Sequence, residues 1–388
     1  NNDNIPAFRW WSRETKKLVA SSSPDDVARL EQERSDGNGL LSDAGASRGN
    51  LFSGDAPSVM NTASTIKDLS RFHTADFQAF FIDPYAFSRT LLLTIWDIIQ
   101  EKRQFRKARK EDVQPRLGKD KRGGIYPLLR AFTTIVMREL NIQTLIGDMF
   151  AGVPAAYATF VGYDEVAHHS GVESEEAFDA LHKLDQQFAR LASVAKQAPR
   201  PYHLVFLSDQ GQSAGATFKQ RDDMTLEDLI RKLAKDTHVE GGSDVHEDWK
   251  HVNVFLSEAI QIENKAVSAP LGQALKTRTV DGQVALGPEA EAALGGDGDV
   301  EAVDVEEDEE ALPIVVLASG NLGLIYSTRR DERATMEEIE EFYPGLLDGL
   351  VQHEGIGLVM VRSEEQGPAV LGADGRYYLA DDRVEGEN

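Results

Sequence analysis

The feature that most constrains this chain is an alternation of short apolar runs with a long amphipathic one across residues 155–208. Residues 157–162 and 203–207 are short and apolar enough to be strands. Between them, residues 174–195 space Phe178, Leu181, Leu184, Phe188 and Leu191 at the three-to-four-residue interval of one helical face. Strand, helix and strand in that order predict a βαβ crossover and a parallel sheet, with functional groups at the strands' carboxyl ends. Residues 313–318 and 357–361 supply later strands. Residues 336–341, running into Tyr343-Pro344-Gly345, supply a helix and its stop.

A chain of 388 residues, 41% of them hydrophobic, can bury a large core as one large α/β domain or two ordinary ones. Its formal net charge of -24 argues against a surface that neutralises nucleic-acid phosphates, so an anionic substrate has to meet a local positive charge such as a metal. The absence of cysteine leaves His, Asp, Glu and Asn as metal ligands. The chain opens on Asn1 without a basic-apolar signal pattern, which predicts that it begins inside a longer protein.

Residues 21–50 read as a polar surface excursion around a short charged helix at 25–34. Residues 77–100 are the most apolar stretch, but Asp83, Arg89 and Asp97 interrupt it before the ~18 residues that a span requires. A buried or interfacial helix is therefore expected there, within a helical insertion over 77–145. The basic run at 102–110 fits either a solvated helix face or contact with an anionic membrane surface. Residues 281–312 contain a long acidic run, with no basic residue between Gly287 and Ala311, and read as a disordered acidic insertion.

Two strand ends carry chemistry. Asp164 and His168 follow the first strand, and a hard carboxylate with an imidazole suits a zinc-like ion. Ser208-Asp209-Gln210-Gly211 follows the next strand, with an acid at its carboxyl end. Two acids at neighbouring strand ends suit a dinuclear site for phosphoryl transfer, whereas Ser208-Asp209 can also serve as a helix cap or turn.

The pattern of Asp164, His168 and Gly171, then a helix, then Ser208, Asp209 and Gly211 resembles the type I phosphodiesterase and nucleotide pyrophosphatase branch of the alkaline phosphatase superfamily. Residues 1–11, 45–55 and 318–323 are similar to bacterial members, often with an N-terminal membrane segment. The resemblance implies one α/β domain over 1–388, lacking its N-terminal part, with a mostly parallel central sheet and helices on both faces. It implies two divalent metal sites of zinc type, with Asp164 and His168 on one ion and Asp209 on the other. It further implies hydrolysis of a phosphate-ester small molecule, and membrane association through a segment upstream of Asn1.

Two positions depart from the family. Gln210 stands where the strand-end motif carries His, and Gln366 is the best match to the last His ligand. His169 and His353 could substitute or could simply be packed or solvent-facing. The family's Ser or Thr nucleophile and one acid are expected upstream of Asn1. Within the chain, Ser47 beside a phosphate-clamping Arg48 is the remaining hydroxyl candidate, and turn chemistry explains that loop equally well. The alternative is a catalytically silent, membrane-linked binding or regulatory relative, which Gln210 and Gln366 favour.

Overall fold

The computed structural model describes residues 9–21, 23–65, 84–114, 126–208, 210–234, 239–241, 256, 279–280, 283–284, 314–328 and 332–386. The acidic segment from 285 to 312, residues 77–83 of the expected helical insertion, and Asp209 lie outside them. The chain divides into two compact units, Ser21–Gly215 with Glu247–Gly296, and Asn1–Ala20 with Ala216–His246 and Asp297–Asn388.

In the first of these, the polar excursion becomes helix α1 (Pro24–Arg34). Its entry is coded locally: Ser23 Oγ accepts from the amide of Asp26, Pro24 opens the helix, and Asp25 and Asp26 face the positive end of its dipole. Strands β3 (Ala46–Arg48), β4 (Ser58–Met60) and β5 (Ala156–Ala158) form a parallel sheet in the order β4-β3-β5, numbered after β1 and β2 described below. The middle strand is wholly buried.

Helix α2 (Pro84–Lys110) is followed by α3 (Tyr126–Ala131), a π-helical stretch (Phe132–Met137) and α4 (Arg138–Ala151). The inner face of α2 is polar. Asp97 and Glu101 are buried against Arg130, and the hydroxyl of Thr134 lies 3.4 Å from Asp97. Glu139 likewise receives Arg89, Arg138 and Arg190. Helix α4 is buried over most of its length and stops at Gly152, whose φ of 76° suits glycine. Helices α5 (Gly162–Ser170) and α6 (Glu175–Ala195) follow β5. Ser174 caps α6 through the amide of Ala177 at 3.1 Å. Phe188 and Leu191 of α6 join Ile142, Leu145 and Met149 of α4 in a core.

Strand β5 and helix α6 of the expected crossover form, but its second strand does not: residues 201–208 carry no strand ladder. Tyr202 and Leu204 pack on the α4/α6 core, while Val205 and Leu207 are exposed.

The other unit contains the hairpin β1 (Arg9–Ser12) and β2 (Lys17–Ala20), helices α7 (Phe218–Asp222) and α8 (Leu226–Leu233), and strand β6 (Val239–Gly241). Strands β7 (Thr279–Val280) and β8 (Gln283–Val284), which belong to the first unit, form a separate short hairpin. Strand β9 (Ile314–Ser319) pairs parallel with β6 and antiparallel with β10 (Leu322–Ser327). Helices α9 (Met336–Phe342) and α10 (Leu346–Val351) precede a four-stranded antiparallel meander, β11 (Val359–Ser363), β12 (Gly367–Leu371), β13 (Gly375–Tyr378) and β14 (Arg383–Gly386). The whole is a mixed α/β protein with a parallel three-stranded sheet. Among the described residues the strands are distributed over five small sheets rather than one central sheet, and most pairings are antiparallel. Among the described residues no helix is long and apolar enough to cross a membrane.

Candidate metal site at the start of helix α5

The chain leaves β5 through Thr159, where a polar lattice holds its path. Asn50 Nδ2 donates to the carbonyl of Tyr157 (2.9 Å) and to Ser47 Oγ (2.7 Å), while Asn50 Oδ1 accepts from Thr159 Oγ1 (2.6 Å). Asn141 of α4 donates to the carbonyl of Thr159 at 2.9 Å. Gly49 can occupy this crowded corner because a Cβ there would lie 2.7 Å from Asn141 Nδ2.

Gly162 then starts α5 against the π-helical stretch. A Cβ on Gly162 would sit 2.8 Å from Thr134 Cα, so the close approach of the two backbones depends on its absence. The expectation of Asp164 in a loop is corrected here, because the helix begins at once. Asp164 lies in its first turn and His168 one turn later, on the same face. His168 Nε2 is 3.3 Å from Asp164 Oδ1, with the Asp side chain 55% and the His side chain 20% exposed.

That separation is informative. Two ligands bonded at ~2.1 Å to a tetrahedral ion are separated by about 3.4 Å, so the pair already spans one edge of such a site. The same distance also suits an Asp–His ion pair. The Gln212 side-chain amide donates to Asp164 Oδ1, bringing the segment after 201–208 to the carboxylate across 48 positions. Ser208 Oγ donates to the carbonyl of Gln210 at 2.7 Å. Asp209 is outside the described residues. Among the described residues no group of three or more His, Asp or Glu forms a metal cluster.

The remaining candidates have other surroundings. His169 is buried, its ring centroid 4.1 Å from that of Tyr126 and its Nδ1 3.0 Å from the Glu165 carbonyl oxygen. In the other unit, His353 stacks on Phe218, and its Nδ1 accepts the Gly355 amide at 3.0 Å. Gln366 Oε1 accepts from Arg383 Nη2 at 2.8 Å within the C-terminal meander. Ser47 is fully buried, with its hydroxyl held by Asn50 and 3.2 Å from the carbonyl of Phe52. Arg48 grips Asp148 of α4 through Nε (3.0 Å) and Nη2 (2.7 Å), and Nη2 also reaches Ser58 Oγ. This bidentate geometry occupies the fork that a phosphate would need.

A cavity of about 20 Å³ lies beside Gly162, lined in part by Arg130, Thr134, Arg138 and Asn141. It has room for a water and not for a phosphate ester. Burial holds the Arg138 guanidinium below its ordinary range, although Glu139 opposes this.

Sequence reasoning located Asp164 and His168 but missed Gln212 and Gly162. The run after residue 207 contained Gln212, yet an amide has no metal-ligand signature. The role of Gly162 depends on a contact with the distant π-helical stretch.

Residues 126–315 match the family described as Type I phosphodiesterase / nucleotide pyrophosphatase. No curated protein and no solved structure gives a match. The matched span includes β5, the Asp164–His168 helix and the Gln212 segment, and over it the chain is similar to that family.

Proposed function

We propose that this chain is the metal-binding part of a metal-dependent hydrolase of phosphate esters with an alkaline phosphatase-like fold. The observation that carries the reading is the facing Asp164–His168 pair, contacted by Gln212 from the segment that contains Asp209. A hard oxygen and a borderline nitrogen, both partly exposed and one ligand–ligand edge apart, suit a divalent ion such as zinc. Asp164 Oδ and His168 Nε2 would hold one ion, and Asp209 would serve the other.

When bound, such ions neutralise phosphate charge and polarise the reacting oxygens. The residues of this chain supply the positioning. Gln212 orients the Asp164 carboxylate, and the close seating of Gly162 fixes the helix on which both ligands stand. Ser47 is assigned to the fold rather than to attack, because its hydroxyl is buried and hydrogen-bonded.

The rival reading is a catalytically silent relative. It draws support from the Gln366 side chain, whose carbonyl oxygen is engaged by Arg383. The two separate in one experiment: hydrolysis of a chromogenic phosphodiester by the protein, with and without Asp164→Ala. Metal-dependent turnover lost in the variant supports the enzyme. Equal residual rates in both support the silent relative.

A further inference from the structure

Helix α2 is inverted relative to an ordinary surface helix. Its inward residues are Thr90, Asp97 and Glu101, all buried, with the two acids facing Arg130. Outward lie Leu92 (68% exposed), Ile95 (48%), Trp96 (50%) and Ile99 (42%). At the ~100° per residue of an α-helix, these four fall within about 60° of one direction, and the buried acids lie roughly 140–180° away. A surface helix normally places these two classes the other way round.

The second half of α2 adds charge to the same direction. Lys102, Arg103, Arg106, Lys107, Arg109 and Lys110 are all exposed. Arg103, Arg106, Lys107 and Lys110 project within about 60° of the direction taken by Leu92. One helix face thus carries an apolar half from Leu92 to Ile99, roughly 10 Å long, followed by a basic half of about 12 Å. Lys107 reaches Glu175 at 2.9 Å, but both groups are largely solvated and such a pair contributes little. In a chain of formal net charge -24, this concentration of cations stands against the overall field.

We propose that the outward face of α2 is a peripheral docking site for an anionic phospholipid bilayer. The Leu92–Ile99 half sinks into the headgroup and acyl boundary, and the basic half pairs with lipid phosphates. Charge complementarity selects this occupant: an apolar protein partner would explain the first half of the face and leave the four cations of the second half unexplained. The helix lies in the interface rather than crossing it, since Asp97 and Glu101 on its other side are tied to Arg130. The proposal does not depend on the catalytic reading.

The test is cosedimentation of the full chain with vesicles of phosphatidylcholine alone or mixed with phosphatidylglycerol. Fluorescence of Trp96 is isolated by difference from Trp96→Phe. Binding is expected only to the anionic vesicles, with a blue shift of Trp96 emission and at least a tenfold loss of affinity as salt rises from about 50 to 500 mM. Leu92→Ser/Ile95→Ser should abolish the blue shift. Arg103→Gln/Arg106→Gln/Lys110→Gln should weaken binding by more than tenfold, at about fivefold per charge. All five side chains are at least partly solvent-exposed, and an unchanged circular dichroism spectrum would verify folding. Failure to bind anionic vesicles at low salt would overturn the proposal, as would binding indifferent to both variants. Self-association of the chain abolished by Leu92→Ser/Ile95→Ser, without lipid binding, would assign the face to a second copy instead.

Discussion

Replacing Asp148 by Asn should be among the most damaging single changes in the first unit. Asp148 accepts two hydrogen bonds from Arg48 at 2.7 and 3.0 Å, and the side chains are 7% and 0% exposed. Removing the charge leaves a guanidinium at the centre of the parallel sheet with a neutral amide as its main partner. Breaking such a pair costs about 3–5 kcal/mol, because the stranded charge keeps its desolvation penalty. For a unit of this size, that corresponds to a fall in thermal midpoint of roughly 10 °C. The double change Arg48→Met/Asp148→Leu removes both charges, and should recover most of the loss if packing is retained. Differential scanning calorimetry of wild type, Arg48→Met, Asp148→Leu and the double variant gives the coupling directly. An Asp148→Asn midpoint within about 2 °C of wild type would show that Arg48 is not committed to this pair, and would reopen its assignment to phosphate.

Three further outcomes follow from the geometry. Gly162→Ala should cost about 1–3 kcal/mol by forcing α5 away from Thr134, and should weaken any metal binding at Asp164 and His168 in parallel; chemical denaturation with a zinc titration checks both. Asp228 caps α8 by accepting from the Thr225 amide (3.1 Å) and hydroxyl (2.8 Å), and these bonds hold its carboxyl below its ordinary value of 3.8. A lowered folded-state pKa gives stabilisation that is present above the unfolded value and lost as pH falls through the folded one, so the advantage of wild type over Asp228→Asn should shrink as pH falls below 3.8. Any hydrolysis of a chromogenic phosphodiester by the chain should be lost on Asp164→Ala, and turnover unchanged in that variant would separate the pair from the chemistry.

The sequence made the helices more legible than the sheets. Capping residues such as Ser23 and Ser174 act within one turn, so α1 and α6 appear within a residue or two of their expected bounds. Strand pairing depends on partners far away in sequence. Residues 203–207 have the apolar character of a strand but form no ladder and leave Val205, Phe206 and Leu207 exposed, and the strand expected at 357–361 became part of an antiparallel meander. The site divides in the same way. Asp164 and His168 were legible because one helical turn brings them together. The burial of Ser47 and the capture of Arg48 by Asp148 depend on α4, 100 positions away, and no local pattern announces them.

The most direct test of the account is calorimetric titration of zinc into the chain and into Asp164→Ala, His168→Ala and Asp209→Ala. With two or three good ligands and Gln210 and Gln366 in place of imidazoles, wild type should bind weakly, with Kd in roughly the 10–100 μM range. Each substitution at Asp164 or His168 should weaken that binding by at least tenfold while leaving the thermal midpoint of the metal-free protein nearly unchanged. Zinc binding of unaltered affinity in both of those variants would contradict the assignment of the Asp164–His168 pair as the metal site.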